Sequence, residues 1–435
     1  MPDPAPTSAK KSSRDDALKV LLRLREAGYI AYFAGGCVRD SLLGFDAKDF
    51  DIATDAPPAR VQQLFRNTQA VGAAFGVILV RLGGSQIEVA TFRAEADYDD
   101  GRHPTQVRFT NAEEDARRRD FTINGLFFDP VAEKVIDYVG GEADLRNRII
   151  RAIGNPAERF AEDSLRLLRA VRFSARLGFE IDPATADAIR HHAPELARIS
   201  PERIADELRR MLTPTTRAAV WRMLWDLKLM DVIFRFLKFD RRSLDAAKPM
   251  LFPLVNAGQS INFGLALAAA TTCYRGQLDT SLRDVRDLFG NTEVSNAVRA
   301  MRQALKISNQ ERDVLAETLS GLAPLLKDEP PRVAVMKRFL AQPTHAESIA
   351  LLEALKSLGH FQSRAEELLP ALAELLKGEF APAPFITGDD LTALGMKPSP
   401  MFKRILDEVY DAQLESQITT KPEAISMAKS IAAKR

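Results

Sequence analysis

Asp49 and Asp51 stand one residue apart in "KDFDIATDAP". The stretch reads as a strand, where residues i and i+2 face one side. Two like charges there repel unless a cation lies between them. Mg²⁺ suits the pair, because it takes oxygen ligands and often uses only one or two carboxylates plus substrate phosphates. Asp49 and Asp51 are therefore the candidate metal ligands. A D-x-D on its own also occurs on solvated strand edges, so the neighbouring residues must decide.

Just upstream lies "GGCVRD". Gly35 and Gly36 fall between a short apolar run and a helical stretch, where missing side chains let phosphates approach backbone N–H groups. Arg39 follows within the first helical turns and can pair with phosphate. The stretch is neither the G-x-G-x-x-G of a dinucleotide fold nor a P-loop, since it lacks the lysine.

A third constellation is "AEDSLRLLRAVRFSARLGF". Drawn on a helix, Leu167, Leu168, Val171 and Ala175 share one face. Asp163, Arg166, Arg169, Arg172 and Arg176 take the rest. One reading is a solvated basic face. The other uses Asp163 as an acceptor and Arg166 as a donor toward the Watson–Crick edge of a base. Cytosine and adenine place an amino donor beside an acceptor ring nitrogen, whereas uracil and guanine do the reverse. Such a pair admits C and A and rejects U and G, because rejection leaves buried groups unpaired.

The elements that must position these residues follow from periodicity and breakers. "DALKVLLRLREAG" is helical and stops at Gly28, "YIAYFAGG" is a short strand, and "VILVRLGGSQIEVATF" is a hairpin turning at Gly83-Gly84. Beyond Ile150 the strand signals nearly vanish, and amphipathic helices run to the end. The predicted class is α+β, a mixed head followed by an all-helical neck, body and tail. The expected division is a disordered tail at 1–15, a head at 16–150, a neck at 151–215, a body at 216–377 and a helical tail at 378–435. The 435 residues carry a formal net charge of +1, so nucleic acid must be met by a local patch. Two cysteines far apart argue against a disulfide framework and fit a reducing compartment, so a cytoplasmic location is expected. The N-terminal segment lacks the apolar stretch of a signal peptide, and no apolar run is long enough to span a membrane.

Together, "GGCVRDSLLGFDAKDFD", "RRRDFTINGLFFDP", "EDSLRLLRAVRF" and "SPERIADEL" resemble, in order, the motifs of the polymerase-beta-like nucleotidyltransferases. More narrowly they resemble the class II tRNA nucleotidyltransferases and bacterial poly(A) polymerases. The resemblance implies a polymerase-beta-like head. It implies Asp49 and Asp51 as metal ligands, Glu88 as a third catalytic carboxylate, and Gly36 and Arg39 on the triphosphate. It also implies Arg119, Asp120 and Asn124 at the sugar and phosphates, Asp163 and Arg166 at the base, and Arg169 and Arg172 toward phosphate. The implied reaction is two-metal transfer of CMP, CMP and AMP from CTP and ATP to a tRNA 3′ end, without a template.

"GAAFGV" and the complete "FRAEADYDDGRHPTQVRF" loop are similar to the CCA-adding branch. A-adding, CC-adding and poly(A) products remain alternatives, as, more distantly, does an inactive RNA-binding protein. "FITGDDLTALGMKPSPMFKRIL" reads as an RNA-binding turn with Lys397, Lys403 and Arg404 around it. No histidine is followed by aspartate, so no His-Asp phosphohydrolase is expected. A monomer or homodimer is expected. The middle helices carry no legible motif.

Overall fold

The computed structural model describes residues 8–47, 49–72, 76–98, 104–237, 258–275 and 289–433. The chain divides into two compact units, one of Met1–Glu207 with Met223–Ile233, the other of Leu208–Arg222 with Phe234–Arg435.

The first unit opens with α1 (Ser8–Glu26), β1 (Ala31–Ala34), α2 (Gly36–Leu42), β2 (Ile52–Thr54) and α3 (Pro58–Leu64). Five strands follow: β3 (Thr68–Gly72), β4 (Val77–Leu82), β5 (Ser85–Thr91), β6 (Arg93–Tyr98) and β7 (Pro104–Phe109). Then come α4 (Ala112–Arg117), β8 (Phe127–Asp129), β9 (Lys134–Ile136), α5 (Gly141–Asn147) and β10 (Ile149–Ile150). Helices α6 (Pro156–Glu162) and α7 (Leu165–Leu177), strand β11 (Glu180–Ile181), and helices α8 (Pro183–His192) and α9 (Pro201–Leu212) complete the part that concerns the site.

Seven strands form one sheet in the order β3-β4-β5-β2-β1-β8-β9. β2 runs parallel to β5, with Ile52 opposite Val89, and antiparallel to β1, with Ile52 opposite Phe33. Ala34, Ala53, Phe92, Ala112, Ala116 and Phe127 make a buried cluster in this head. Small alanines on the strands leave room for the Phe92 and Phe127 rings, whose centroids lie 5.9 Å apart edge to face.

Three expectations are corrected. The expected disordered segment 1–15 is helical from Ser8, continuous with the stretch that carries the buried anchors Ala17, Val20 and Leu21. Residues 1–7 lie outside the described residues. Asp49 and Asp51 precede β2 instead of lying in it, and only the Asp51 carbonyl joins the ladder, accepting from Ala34 N–H at 3.0 Å. Asp163 is not on the long helix; it sits at a break between α6 and α7, with φ −145° and ψ 100°. Its side chain takes the Leu165 N–H at 3.0 Å, the competition for backbone donors that makes aspartate a helix-end residue. The tip of the expected loop, Asp99–His103, falls outside the described residues.

In the second unit, Ile386, Leu391, Ile405, Val409, Ala412, Ile418, Ala424 and Ala428 form a core of their own. They come from the helices Gly388–Ala393, Pro400–Leu414 and Lys421–Ala433 and the segments flanking them.

Candidate active site

The turn between β1 and α2 is built on glycine. Gly35 has φ +70°, and a Cβ there would lie 2.9 Å from Arg119 Nη1. The backbone therefore closes directly over the Arg119 guanidinium. Arg39, on α2, is buried at 2% exposure. Its Nε and Nη2 donate to Asp40 Oδ1 at 2.8 and 2.6 Å, and its Nη1 donates to Asn124 Oδ1 at 2.6 Å. Burial pulls its pKa down, and the Asp40 charge opposes that.

Asn124 is the joint of this network. Its Nδ2 donates to Asp120 Oδ1 at 2.9 Å, and its carbonyl accepts from Arg119 Nη1 at 3.2 Å. Asp120 also accepts from Arg169, Nε at 2.7 Å and Nη2 at 2.5 Å. Although burial alone would raise it, the Arg169 charge and these hydrogen bonds hold the Asp120 carboxyl down at about 2. Arg119 is pinned by Asp115, through Nη2 at 3.0 Å.

The acidic side lies one strand away. Glu88 on β5 precedes the Ile52–Val89 pair by one residue, as Asp51 does just ahead of β2. The pKa of Asp51 is raised to about 6, first by burial, then by the Glu88 and Asp49 charges, with Arg119 acting against them. This mutual repulsion fits a divalent cation. Among the described residues no three His, Cys, Asp or Glu side chains close a cage. Burial also pushes the Cys37 thiol up to about 11, which favours its protonated form.

Helix α7 carries the remaining groups. Leu167, Leu168, Ala170 and Val171 are fully buried, and Gly178, at φ +67°, ends the helix. Its arginines are tied to carboxylates, although the Arg176 side chain stays 53% exposed. Arg169 binds Asp120, Arg172 Nε binds Glu207 at 2.6 Å, and Arg176 Nη2 binds Asp40 at 2.8 Å. Phe173 supports this row, with Arg39, Arg169 and Arg172 stacked 5.1, 5.4 and 4.4 Å from its ring centre. Asp163 Oδ2 accepts from Arg203 Nη2 at 2.9 Å. Arg166 Nη1 donates to Glu162 at 2.7 Å and to the Arg159 carbonyl at 3.0 Å.

The structure thus brings Gly35, Gly36, Arg39, Arg119, Asp120, Asn124 and Arg169 into one network. Asp49, Asp51 and Glu88 form a second cluster in the same unit. Sequence reasoning missed Asp40, Asp115, Glu162, Arg203 and Glu207. Asp40, Glu162, Arg203 and Glu207 lay inside the quoted motifs and were legible as charges, though not as partners; Asp115 lay outside them. Lys397, Lys403 and Arg404 belong to the second unit, where Lys403 and Arg404 line a groove of about 330 Å³ with Pro400, Asp407, Glu408 and Asp411. Arg404 is paired with Glu408 at 2.8 Å. No helix among the described residues is long and apolar enough to cross a membrane.

Residues 31–151 match the poly A polymerase head domain, and residues 178–240 match the probable RNA and SrmB-binding site of polymerase A. A CCA-adding enzyme of Bacillus licheniformis is 47% identical over 197 residues, 45% of this chain and 49% of that protein. Poly(A) polymerase I of Escherichia coli is 42% identical over 237 residues, 52% of this chain and 51% of that protein. The chain therefore spans about half the length of the curated relatives it matches. The structure of the Bacillus stearothermophilus CCA-adding enzyme in complex with CTP superposes with a TM-score of 0.74, covering 96% of both chains at 29% identity. The fold is shared by a Thermotoga maritima CCA-adding enzyme complexed with tRNA, with a TM-score of 0.65 at 18% identity over 95% of this chain and 98% of that one. The chain is thus similar to CCA-adding enzymes and to poly(A) polymerase I over about half of its length, carries a match to the poly A polymerase head domain at residues 31–151, and shares the fold of a CCA-adding enzyme along nearly all of it.

Proposed function

We propose that this protein adds CMP, CMP and AMP to tRNA 3′ ends from CTP and ATP, without a template and in the cytoplasm. The observation that carries the reading is the likeness, along nearly the whole of both chains, to a CCA-adding enzyme solved with CTP. The tRNA 3′-oxygen forms a bond to the α-phosphorus as the bond from that phosphorus to the bridging oxygen breaks, and pyrophosphate leaves. Asp49 and Asp51 would hold Mg²⁺, with Glu88 adding negative charge beside them. When bound, the metal supplies charge neutralisation and a lower pKa for the attacking hydroxyl.

The chain's own groups perform the positioning. Gly35 and Gly36 admit the triphosphate to the backbone, and Arg39, Arg169 and Arg172 supply guanidinium donors. Arg119, Asp120 and Asn124 form a prearranged ribose and phosphate cradle whose charges are already balanced. Asp163 and Arg166 read the base edge. We further assign the catalytic head to 16–150, base selection to the neck at 151–215, a helical body to 216–377, and tRNA contact to the tail at 378–435, through Lys397, Lys403 and Arg404.

The 42% identity to poly(A) polymerase I favours a second reading, the same chemistry with an adenylate tract as product. Purified protein, given tRNA ending before CCA, after C and after CC with each NTP singly and in pairs, separates the readings. Sequenced products ending uniformly in CCA are expected; long adenylate tracts would establish the alternative, and only A or only CC ends a narrower enzyme. Asp163→Ala is expected to let UTP and GTP compete with CTP and ATP in the same assay.

A further inference from the structure

The helix Pro400–Leu414 carries two of the cations assigned to RNA, but its own charge is wrong for that partner. Lys403 and Arg404 stand against three carboxylates, Asp407, Glu408 and Asp411, and all five line one groove. Arg404 is already held by Glu408 at 2.8 Å. Taken alone, such a groove repels a phosphate backbone. The segment at Arg332–Leu340 reverses this. Arg338 Nε donates to Asp411 Oδ1 at 2.6 Å, and its Nη2 donates to the Asp407 carbonyl at 3.1 Å and lies 3.4 Å from Asp407 Oδ1. Arg332 Nη2 donates to Asp411 Oδ2 at 3.2 Å, and its Nη1 lies 3.3 Å from Glu415 Oε1. Lys337 Nζ donates to the Leu414 carbonyl at 2.9 Å. The Arg338 guanidinium stacks 5.1 Å from the centre of the Tyr410 ring, whose hydroxyl donates to the Pro382 carbonyl at 2.9 Å. Both Asp411 oxygens are thus covered by guanidinium. Yet the Arg332 and Arg338 side chains stay 62% and 38% exposed, with N–H donors beyond those the carboxylates take. With Arg332, Lys337 and Arg338 on one side and Glu415 on the other, cations outnumber carboxylates around the groove.

We infer that Arg332 and Arg338 belong to the RNA-binding face of the tail: reaching across from the preceding part of the chain, they cancel Asp407 and Asp411, so that the groove beside Lys403 and Arg404 accepts a phosphate backbone. The inference rests on the proposed function. It adds to the tRNA contact two residues from the middle helices, where the sequence carries no legible motif. Pairs that only held the two helices together would give a different order of affinities, because in that case the carboxylate and the guanidinium are equally needed. For RNA they act in opposite directions.

The test is a tRNA-binding titration of the full chain at low and high salt, with Arg332→Gln, Arg338→Gln, Arg338→Lys, Asp411→Asn and the double variant R338Q/D411N. At low salt R332Q and R338Q are each expected to raise Kd about threefold, and D411N, which removes a carboxylate, to lower it by about the same factor. These differences should shrink as salt rises. R338K keeps the charge and R338Q/D411N restores the balance, so both should bind within about twofold of the original protein. Incorporation into a short acceptor-stem substrate should be unchanged throughout. A loss in D411N as large as in R338Q, with the double variant no better than either, would overturn the inference, since the pairs would then only join the helices. So would Kd values that do not move. Failure of the unsubstituted protein to incorporate CMP and AMP would overturn the proposed function instead, and the order of affinities is read without it. If R338Q does not fold, R332Q and D411N carry the same comparison.

Discussion

Asp51 concentrates the electrostatics of the site. Burial, Glu88 and Asp49 all act against its ionised form, and a divalent cation relieves all three. Asp51→Ala is expected to lower nucleotide incorporation by on the order of 10³ or more while tRNA binding stays within a few-fold of the original. Single-turnover incorporation and a filter-binding titration measure the two quantities; near-normal turnover would refute the assignment. Asp120 behaves in the opposite sense. Its folded pKa of about 2 lies below the ordinary value of 3.8. The stability it contributes is therefore present above about pH 4 and is lost as pH falls from there toward 2. The amount is about 2 kcal/mol. Urea unfolding of the native protein between pH 6 and pH 3 should show this decline, and Asp120→Asn should flatten it.

At the scale of elements, the β4–β5 hairpin is fastened to α1 by a side chain. Asp16, 3% exposed, accepts from Ser85 Oγ at 3.0 Å. Gly83, at φ +59°, leaves the space the carboxylate fills, and a Cβ there would lie 2.2 Å from Asp16 Oδ2. Gly83→Ala is expected to destabilise the head by about 1–3 kcal/mol, through left-handed backbone strain and loss of that contact. A shift in the denaturant midpoint at constant slope measures it, and an unchanged midpoint would contradict the role given to Asp16. Helix α7 illustrates what periodicity can and cannot say. Its apolar stripe was legible from "LRLLRAVRF", because leucines at helical spacing must be buried somewhere. The destination of its arginines was not. Their carboxylate partners stand 49, 35 and 136 residues away, and no local pattern encodes such a distance.

At the scale of the whole molecule, the tail has its own buried core, so surface changes on the helix Pro400–Leu414 should leave it folded. Replacing Lys403 and Arg404 by alanine is expected to raise the tRNA Kd several-fold and to lower the salt dependence of binding by up to about two phosphate contacts. Incorporation into a short acceptor-stem substrate that does not reach the tail should be unaffected. Equal loss on both substrates would argue against a tail contact. The mixed charge of the groove beside these residues, with Asp407, Glu408 and Asp411, keeps the expected effect modest.

The sequence by itself determined which charged and glycine motifs the chain carries and their order along it. Paired carboxylates, a glycine turn and an acid–arginine couple are local features whose spacing is fixed by covalent geometry. The mixed head and the helical remainder followed from strand and helix periods in the same way. Tertiary structure alone decided that Asp163 stands at a helix break and that Arg203 holds it. It also decided that Asn124 joins Arg39 to Asp120, and which distant carboxylates Arg169, Arg172 and Arg176 of α7 meet. Those outcomes depend on which distant carboxylate or carbonyl reaches a buried charge first, and packing settles that competition, since an unpaired charge in the interior costs more than any local preference can offset.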